Sequence, residues 1–445
     1  MTRLAFCAVL LFSICQAQQA QQPAAAPVLT LDEAIQTALK DNRQLQSAQL
    51  DVSKAQQATA EIGASRYPQF SADVLSGIAL NPIHFTIPEG AIGDIPGIGP
   101  LPAENKDVTE PRRVTAIVHG SAVQPLTQLY KIDLGVRSSR IGEEFARQSL
   151  RQKRQELAEQ VRDAYYQIVQ AQGQVAAAEA SLSALVELGG LTERRLAEET
   201  VLKSDLLSVK AKTSQQRLQL LTLRDGIATS KESFNRLLGR DLRTEFSVEP
   251  LPAPSVEELD LETARAKALE QRPEIREAKL QVEKAGLDIR RERAEYLPNL
   301  SVQLSYLSFA NISFAPQNLT SAGFLFQWQP FDRGQKHHKI EELKSAAAQA
   351  DLASTDAGQQ VLIDVGAQYR KLAEARALLE AQMAVQESER EKLRVVMQRF
   401  EQKAVLMADV LQQQAALAEA DSQLSQAVSG FWTAEAAFRR ALGEE

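Results

Sequence analysis

Apolar and polar positions along this chain follow two periods, and the points where the period changes divide it into elements. From Thr30 the spacing is helical, and Thr30-Leu-Asp-Glu33 has the form of a capping box, in which hydroxyl and carboxylate satisfy early helix amides. A helix is predicted to about Arg66, stopped by Pro68, which lacks an amide and restricts the residue before it. From Phe70 the period is two: Phe70, Ala72 and Val74 alternate with Ser71 and Asp73, which predicts a strand over about 70–80. Asn81 to Pro111 holds six prolines and many glycines, and reads as an irregular, exposed loop of about thirty residues. A second strand is predicted over about 113–124, ending at Gln124-Pro125.

After Pro125 no proline occurs until Pro250. Within that run Leu157, Val161, Ala164, Ile168, Ala171, Val175, Ala178, Leu182 and Leu185 step alternately by four and three, a heptad seam. The seam predicts a helix from about Asp133 to Leu188, on the order of 80 Å long. A second long helix runs to Leu238, where Gly239 supplies a stop. A plain coiled coil would account for the seam by itself, but not for the strands.

Leu251-Pro-Ala-Pro254 reads as a linker, followed by a possible capping box at Ser255-Val-Glu-Glu258, and then the pattern replays. Leu31–Phe70 and Leu261–Leu300 align without a gap at an offset of 230, with eleven identities in forty positions, among them Ala34/Ala264, Leu39/Leu269 and Pro68/Pro298. Strands are predicted over about 300–309 and 320–329, and Gln329-Pro330 matches Gln124-Pro125. Late in each half the offset is 204, pairing Tyr165 with Tyr369, Asp205 with Asp409, Phe234 with Phe438 and Gly239 with Gly443. Two structural repeats are therefore expected, 30–250 and 251–445, each helix, strand, strand, long helix, long helix. Pro68, Pro125, Pro298 and Pro330 mark the expected exchanges between helix and strand.

The N-terminus changes the picture of where this chain works. Arg3, the apolar run Leu4 to Ile14 and the small residues ending at Ala17 have the form of a secretory signal over 1–17, followed by a Gln-, Ala- and Pro-rich tail over 18–29 that reads as disordered. A lipoprotein alternative would acylate Cys15, beside a bulky Ile14. Both cysteines, Cys7 and Cys15, fall in this leader, so no disulfide is expected after cleavage. Net charge is -7 with no clustered basic face, which argues against a nucleic-acid partner. Aromatics are only 5%, and no later run of 18 uninterrupted apolar residues occurs, so any membrane crossing is expected as strands. Strands of about ten residues suit a tilted crossing, yet four cannot close a barrel, and an open edge in lipid leaves amides unsatisfied. Either the strands pair within a soluble domain, or several chains pool them.

Taken together, the duplicated half, Arg66-Tyr67-Pro68, Tyr296-Leu297-Pro298, Arg272-Pro273-Glu274-Ile275, Gln329-Pro330-Phe331-Asp332-Arg333-Gly334 and Ala408-Asp409-Val410-Leu411 resemble the TolC family of outer-membrane efflux channels over nearly all of the mature sequence. The resemblance implies a mainly α fold with a small β part, assembled as a homotrimer. Its α-barrel would be continued by a shared 12-stranded transmembrane β-barrel in outer-membrane lipid. It further implies a periplasmic adaptor (membrane fusion protein) and, through it, an inner-membrane transporter, in a tripartite efflux pump or a type I secretion system moving drugs, metals or proteins. By the same resemblance Asp205 and Asp409 match carboxylates at the narrow periplasmic entrance, where a ring of charge would favour cations. This chain departs from the family pattern nearby. Gln412 stands where a second acidic ring can occur, Phe400 and Val405 replace polar latch residues, and Glu199 and Lys403 occupy turn positions that often hold Gly.

Nothing in the sequence proposes catalysis or a cofactor. His337-His338 invites a metal reading, but no Cys or spaced carboxylate completes a site, and a solvated pair is the simpler expectation. The rival to a passive conduit is a periplasmic coiled-coil adaptor or structural protein without a membrane barrel; adaptors usually carry one hairpin, whereas this order of elements occurs twice.

Overall fold

The computed structural model describes residues 27–78, 80–110, 114–251, 260–312, 317–402 and 404–444. The expected signal, Cys15, most of the tail, the Ser255–Glu258 capping box and Lys403 lie outside the described residues. In chain order the first half comprises β1 (Val28–Leu29), α1 (Leu31–Asp41), α2 (Arg43–Ala64), β2 (Gln69–Ile78), β3 (Ile83–Ile87), β4 (Gly93–Ile95), β5 (Gly99–Leu101), β6 (Lys106–Glu110), β7 (Val114–Pro125), α3 (Leu129–Ala197) and α4 (Lys203–Leu238). The second comprises β8 (Ser247–Val248), α5 (Leu261–Gln271), α6 (Pro273–Ala294), β9 (Asn299–Ala310), β10 (Asn318–Gln327), α7 (Gln335–Glu401) and α8 (Met407–Ala441).

Two expectations are corrected. The helix expected to run unbroken to Arg66 is two, α1 and α2, because Asn42 leaves helical geometry (ψ 126°). Its Oδ1 accepts from the amides of Gln44 and Leu45 and so starts α2 afresh. The stretch 81–110, expected as part of an irregular loop to Pro111, is not irregular. β3 pairs antiparallel with β6, and β4 with β5, so the stretch is an extended ribbon, with Gly93, Gly99 and Pro100 in its strands and Gly90, Pro96 and Gly97 at its turns. Separately, α3 contains an 18-residue window apolar enough by mean hydropathy to cross a bilayer, although no run of 18 uninterrupted apolar residues occurs there.

Two compact units divide the chain, and α3 and α7 contribute residues to both. Unit 1 holds 1–48, 150–273 and 358–445. Its core gathers Leu157, Val161, Tyr165 and Ile168 of α3 against Ala34 and Ala38 of α1 and Phe234 and Leu238 of α4. Every residue of the α3 heptad seam is buried or half-buried, as coiling against neighbouring helices requires. The Tyr165 hydroxyl accepts from the Glu249 amide at 3.0 Å and lies 3.1 Å from the Leu29 carbonyl, pinning the parallel β1–β8 pair to this core. Hairpin α3–α4 is stitched by Arg224 to Glu179, and hairpin α7–α8 by Gln386 to Asp421 and Gln413 to Glu389.

Unit 2 holds 49–149 and 274–357. Its helices pack through Leu134 and Ile141 of α3 on Leu280, Leu287 and Ala294 of α6. Its sheet has the order β10-β9-β7-β2, antiparallel throughout. Strands β2 and β10 form its two edges, and every residue of both is exposed.

Candidate functional site

Two regions hold the residues singled out from sequence, and each is built by local chemistry. In unit 1 the hairpin ends carry the acidic pair. Asp205 lies at the third position of α4, and its Oδ2 accepts from the Leu202 amide at 3.1 Å. Asp409 repeats this on α8 with the Leu406 amide at 2.9 Å. Neither leucine offers a side-chain acceptor in return, so each aspartate makes half of a capping box. A carboxylate here also complements the positive end of the helix dipole. The two acids thus have a structural task, and their negative charge remains at the hairpin ends.

Phe400 is only 4% exposed. It lies in an apolar cluster with Leu188, Val209, Met407 and Val410, contributed by all four long helices. The Arg195 guanidinium lies over its ring at 4.5 Å and donates to its carbonyl at 3.3 Å. The structure therefore makes Phe400 a packing residue within the protomer, with its ring turned away from solvent. Gln412 is exposed on the first turns of α8. Glu199 holds a left-handed backbone, φ 56°, in the α3–α4 turn, a conformation that glycine adopts without strain.

In unit 2 the four prolines mark the exchanges between helix and strand. Pro68 separates α2 from β2, Pro125 closes β7, Pro298 separates α6 from β9, and Pro330 lies between β10 and α7. Hydrogen bonds brace the exchanges. Gln124 donates to the Arg66 carbonyl at 2.9 Å, Thr127 to the Pro298 carbonyl at 2.7 Å, and Trp328 to the Tyr296 carbonyl at 3.2 Å. Lys131 bridges Glu295 and Asn299, and Arg66 pairs with Asp133 at 2.8 Å. Beyond Pro330, Asp332 accepts from the Lys336 and Gly334 amides, which hold its carboxyl below the usual range. His337 and His338 stack edge to face at 5.6 Å, and no group of three metal-ligating side chains occurs among the described residues.

Sequence reading missed a feature that surrounds these prolines. Tyr67, Tyr130, Tyr296, Trp328 and Phe331 are all exposed, in a chain poor in aromatics. Exposed aromatics bordering short apolar strands form the girdle that seats a barrel at a membrane surface. Their clustering within a few positions of each proline was the available signal.

Register sorts the sheet into two unlike faces. Phe70, Val74, Val118, Ala122, Leu304, Val302, Phe324 and Phe326 share one face, through the pairs Phe70/Ala122/Leu304 and Val302/Phe324. The opposite face carries Ser71 bonded to Ser121 and Ser305 bonded to Ser321, with Asp73 opposite His119. Phe70, Phe324 and Phe326 make the first face the more apolar, whereas on the second the polar side chains are mixed with Leu75, Ile117, Val123, Leu307 and Phe309.

A family model described as "outer membrane efflux protein" matches residues 97–240 and 264–444. The chain belongs to that family. It is accordingly a TolC-type outer-membrane protein of the efflux-channel family, and its relatives are channels. Solved structures share the fold at low identity. OprN, an outer-membrane channel, superposes with a TM-score of 0.75 at 19% identity, covering 93% of this chain and 90% of that one. The outer membrane protein VceC of Vibrio cholerae gives a TM-score of 0.73 at 15% identity, covering 93% and 96%. The MtrE outer-membrane channel of Neisseria gonorrhoeae, in its open state, gives 0.70 at 16%, covering 93% and 89%. No curated protein matches the sequence significantly.

Proposed function

We propose that this chain is a passive trimeric conduit through the outer membrane, leading from periplasm to exterior. The observation that carries the reading is the sheet of unit 2: four strands, two unpaired edges, one apolar and one polar face. In hydrocarbon each unpaired amide is costly, so an open sheet is not an end state there. Joining β10 of one copy to β2 of the next removes both edges and turns the apolar faces outward to lipid. Three copies give twelve strands, and the heptad-patterned helices of unit 1 suit the wall of an α-barrel.

A conduit of this kind supplies no energy. We infer a periplasmic adaptor at the hairpin ends and, through it, an inner-membrane transporter, in a tripartite efflux pump or type I secretion system. Asp205, Asp409 and Gln412 border the entrance in this reading, and Phe400 stiffens the hairpin ends behind them. The adaptor alternative leaves the apolar sheet face with no partner.

The test is planar-bilayer conductance together with the mass of the detergent-extracted particle. A trimer that conducts is expected; a soluble monomer that never conducts sinks the reading. Asp409→Asn keeps an amide acceptor while removing the charge, and should reduce cation preference in single-channel recordings. Unchanged selectivity would put Asp409 outside the lumen.

A further inference from the structure

The polar face of the four-stranded sheet is nearly free of charge. Serines, glutamines and glycines alternate there with leucines and with Ile117, Val123 and Phe309, and among its described residues only Asp73 of β2 and His119 of β7 carry ionisable side chains. These two are paired in register on adjacent strands, with His119 Nδ1 3.7 Å from Asp73 Oδ2. The Asp73 side chain is 75% exposed, and that of the half-buried His119 is 42% exposed. The other strand packed on β7 presents Leu307 opposite His119, flanked by Ser305 and Phe309, so no further charge faces the imidazole. On its own strand the same-face neighbours are Ile117 and Ser121.

We propose that Asp73 and His119 form a pH-dependent charge ring in the membrane-embedded lumen, setting the ion preference of the strand barrel independently of the entrance acids. The proposal rests on the conduit reading, since only closure turns the polar faces inward. Imidazole is the side chain whose charge changes between pH 5 and 8. Above that range each copy contributes the Asp73 carboxylate alone, and the ring favours cations. Below it the protonated His119 neutralises Asp73, and the ring carries no net charge.

The size of the effect follows from geometry. Twelve strands about 4.8 Å apart and tilted about 40° enclose a barrel roughly 24 Å across. Three carboxylates on that wall act on the axis from roughly 12 Å, inside a Debye length of about 30 Å at 0.01 M salt but far outside one of about 3 Å at 1 M. The cation enrichment on the axis should therefore be roughly three-fold at 0.01 M and absent at 1 M. Such a ring would tune the passage of charged solutes without blocking large neutral ones.

Reversal potentials of the full-length protein in planar bilayers test this, in KCl gradients at low salt, at pH 8 and pH 5. The wild type is expected to lose roughly three-fold in cation preference on acidification. His119→Gln should keep its cation preference at both pH values. Asp73→Asn should lose preference at pH 8 and shift towards anions at pH 5, an inversion that entrance carboxylates cannot produce. A conducting wild type whose selectivity ignores pH overturns the proposal alone, as does a His119→Gln channel that titrates like the wild type. A wild type that never conducts overturns the conduit reading and takes this proposal with it.

Discussion

The two halves of the chain build the same joint with different chemistry. In the first, Gly239 ends α4 in a left-handed conformation (φ 77°) and presses against the break between α1 and α2. In the second, Gly443 follows α8 (φ 86°) and presses against the break between α5 and α6. The partners, Asp41–Asn42 and Gln271–Arg272, are the residues matched at offset 230, and the glycines those matched at 204. The first joint is tighter. A Cβ on Gly239 would lie 2.2 Å from the Asp41 carbonyl oxygen, whereas one on Gly443 would lie 3.0 Å from the Gln271 carbonyl carbon. The break itself is also made differently. Asn42 caps α2 and donates to the Leu237 carbonyl at 2.8 Å, while Pro273 opens α6 and needs no acceptor. The second joint is tied instead from outside: Gln155 donates to the Gly443 carbonyl at 2.7 Å, Arg272 pairs with Asp364, and Lys267 pairs with Glu444. The same geometry is thus reached with different residues, provided that each helix end is satisfied.

Breaking the tight joint should have the largest effect. Gly239→Ala forces both a strained φ and a backbone displacement, and should cost about 3–5 kcal/mol. Gly443→Ala meets only the φ strain and a displacement of a few tenths of an ångström, and should cost about 1–2 kcal/mol. Thermal unfolding of the extracted protein separates them, and equal losses would show the joints to be equivalent. Next comes the cap. Asn42→Ala should cost about 1–2 kcal/mol, whereas Pro273→Ala should stay within about 0.5 kcal/mol, read the same way.

The smallest effect sharpens a further difference, since α3 meets α8 through half-buried charge. Burial raises the Asp163 carboxyl, opposed by a hydrogen bond from Thr433, and burial likewise raises Glu159 despite the Arg440 guanidinium. A carboxyl raised on folding favours the fold fully below its ordinary range, and that contribution is lost as pH rises through the folded value. Asp163→Asn should therefore raise the melting temperature by about 1–2 °C at pH 7, a small shift because the group is half-exposed, and by nothing near pH 3. A shift that grew on acidification would reverse this sign.

Much of the fold was legible because its rules are local. Period fixed element type: Phe70, Ala72 and Val74 could alternate only as a strand, and the seam through Leu157, Val161 and Ile168 could coil only as a helix. Pro68 and Pro298 marked exchanges because a missing amide is fatal to a helix interior wherever it occurs. The break at Asn42 was hidden because it depends on a side chain finding the Leu237 carbonyl, 195 residues away. The ribbon over 81–110 was hidden because its pairing, not its Pro-rich composition, makes it β. At the candidate site the aspartates could be located from the match between halves, but their capping bonds could not, nor could the burial of Phe400 among four helices.

By itself, then, the sequence determined the order of the long helices and of the four sheet strands, the duplication and the family, since periodicity, proline chemistry and repeated motifs are carried by neighbouring residues. Only the tertiary structure decided which strand face is apolar, that Asp73 stands opposite His119, and that a left-handed glycine is locked against a helix break in each half. Those depend on register and on contacts between residues far apart in the chain, where a shift of one position would turn every side chain of a strand to the other face.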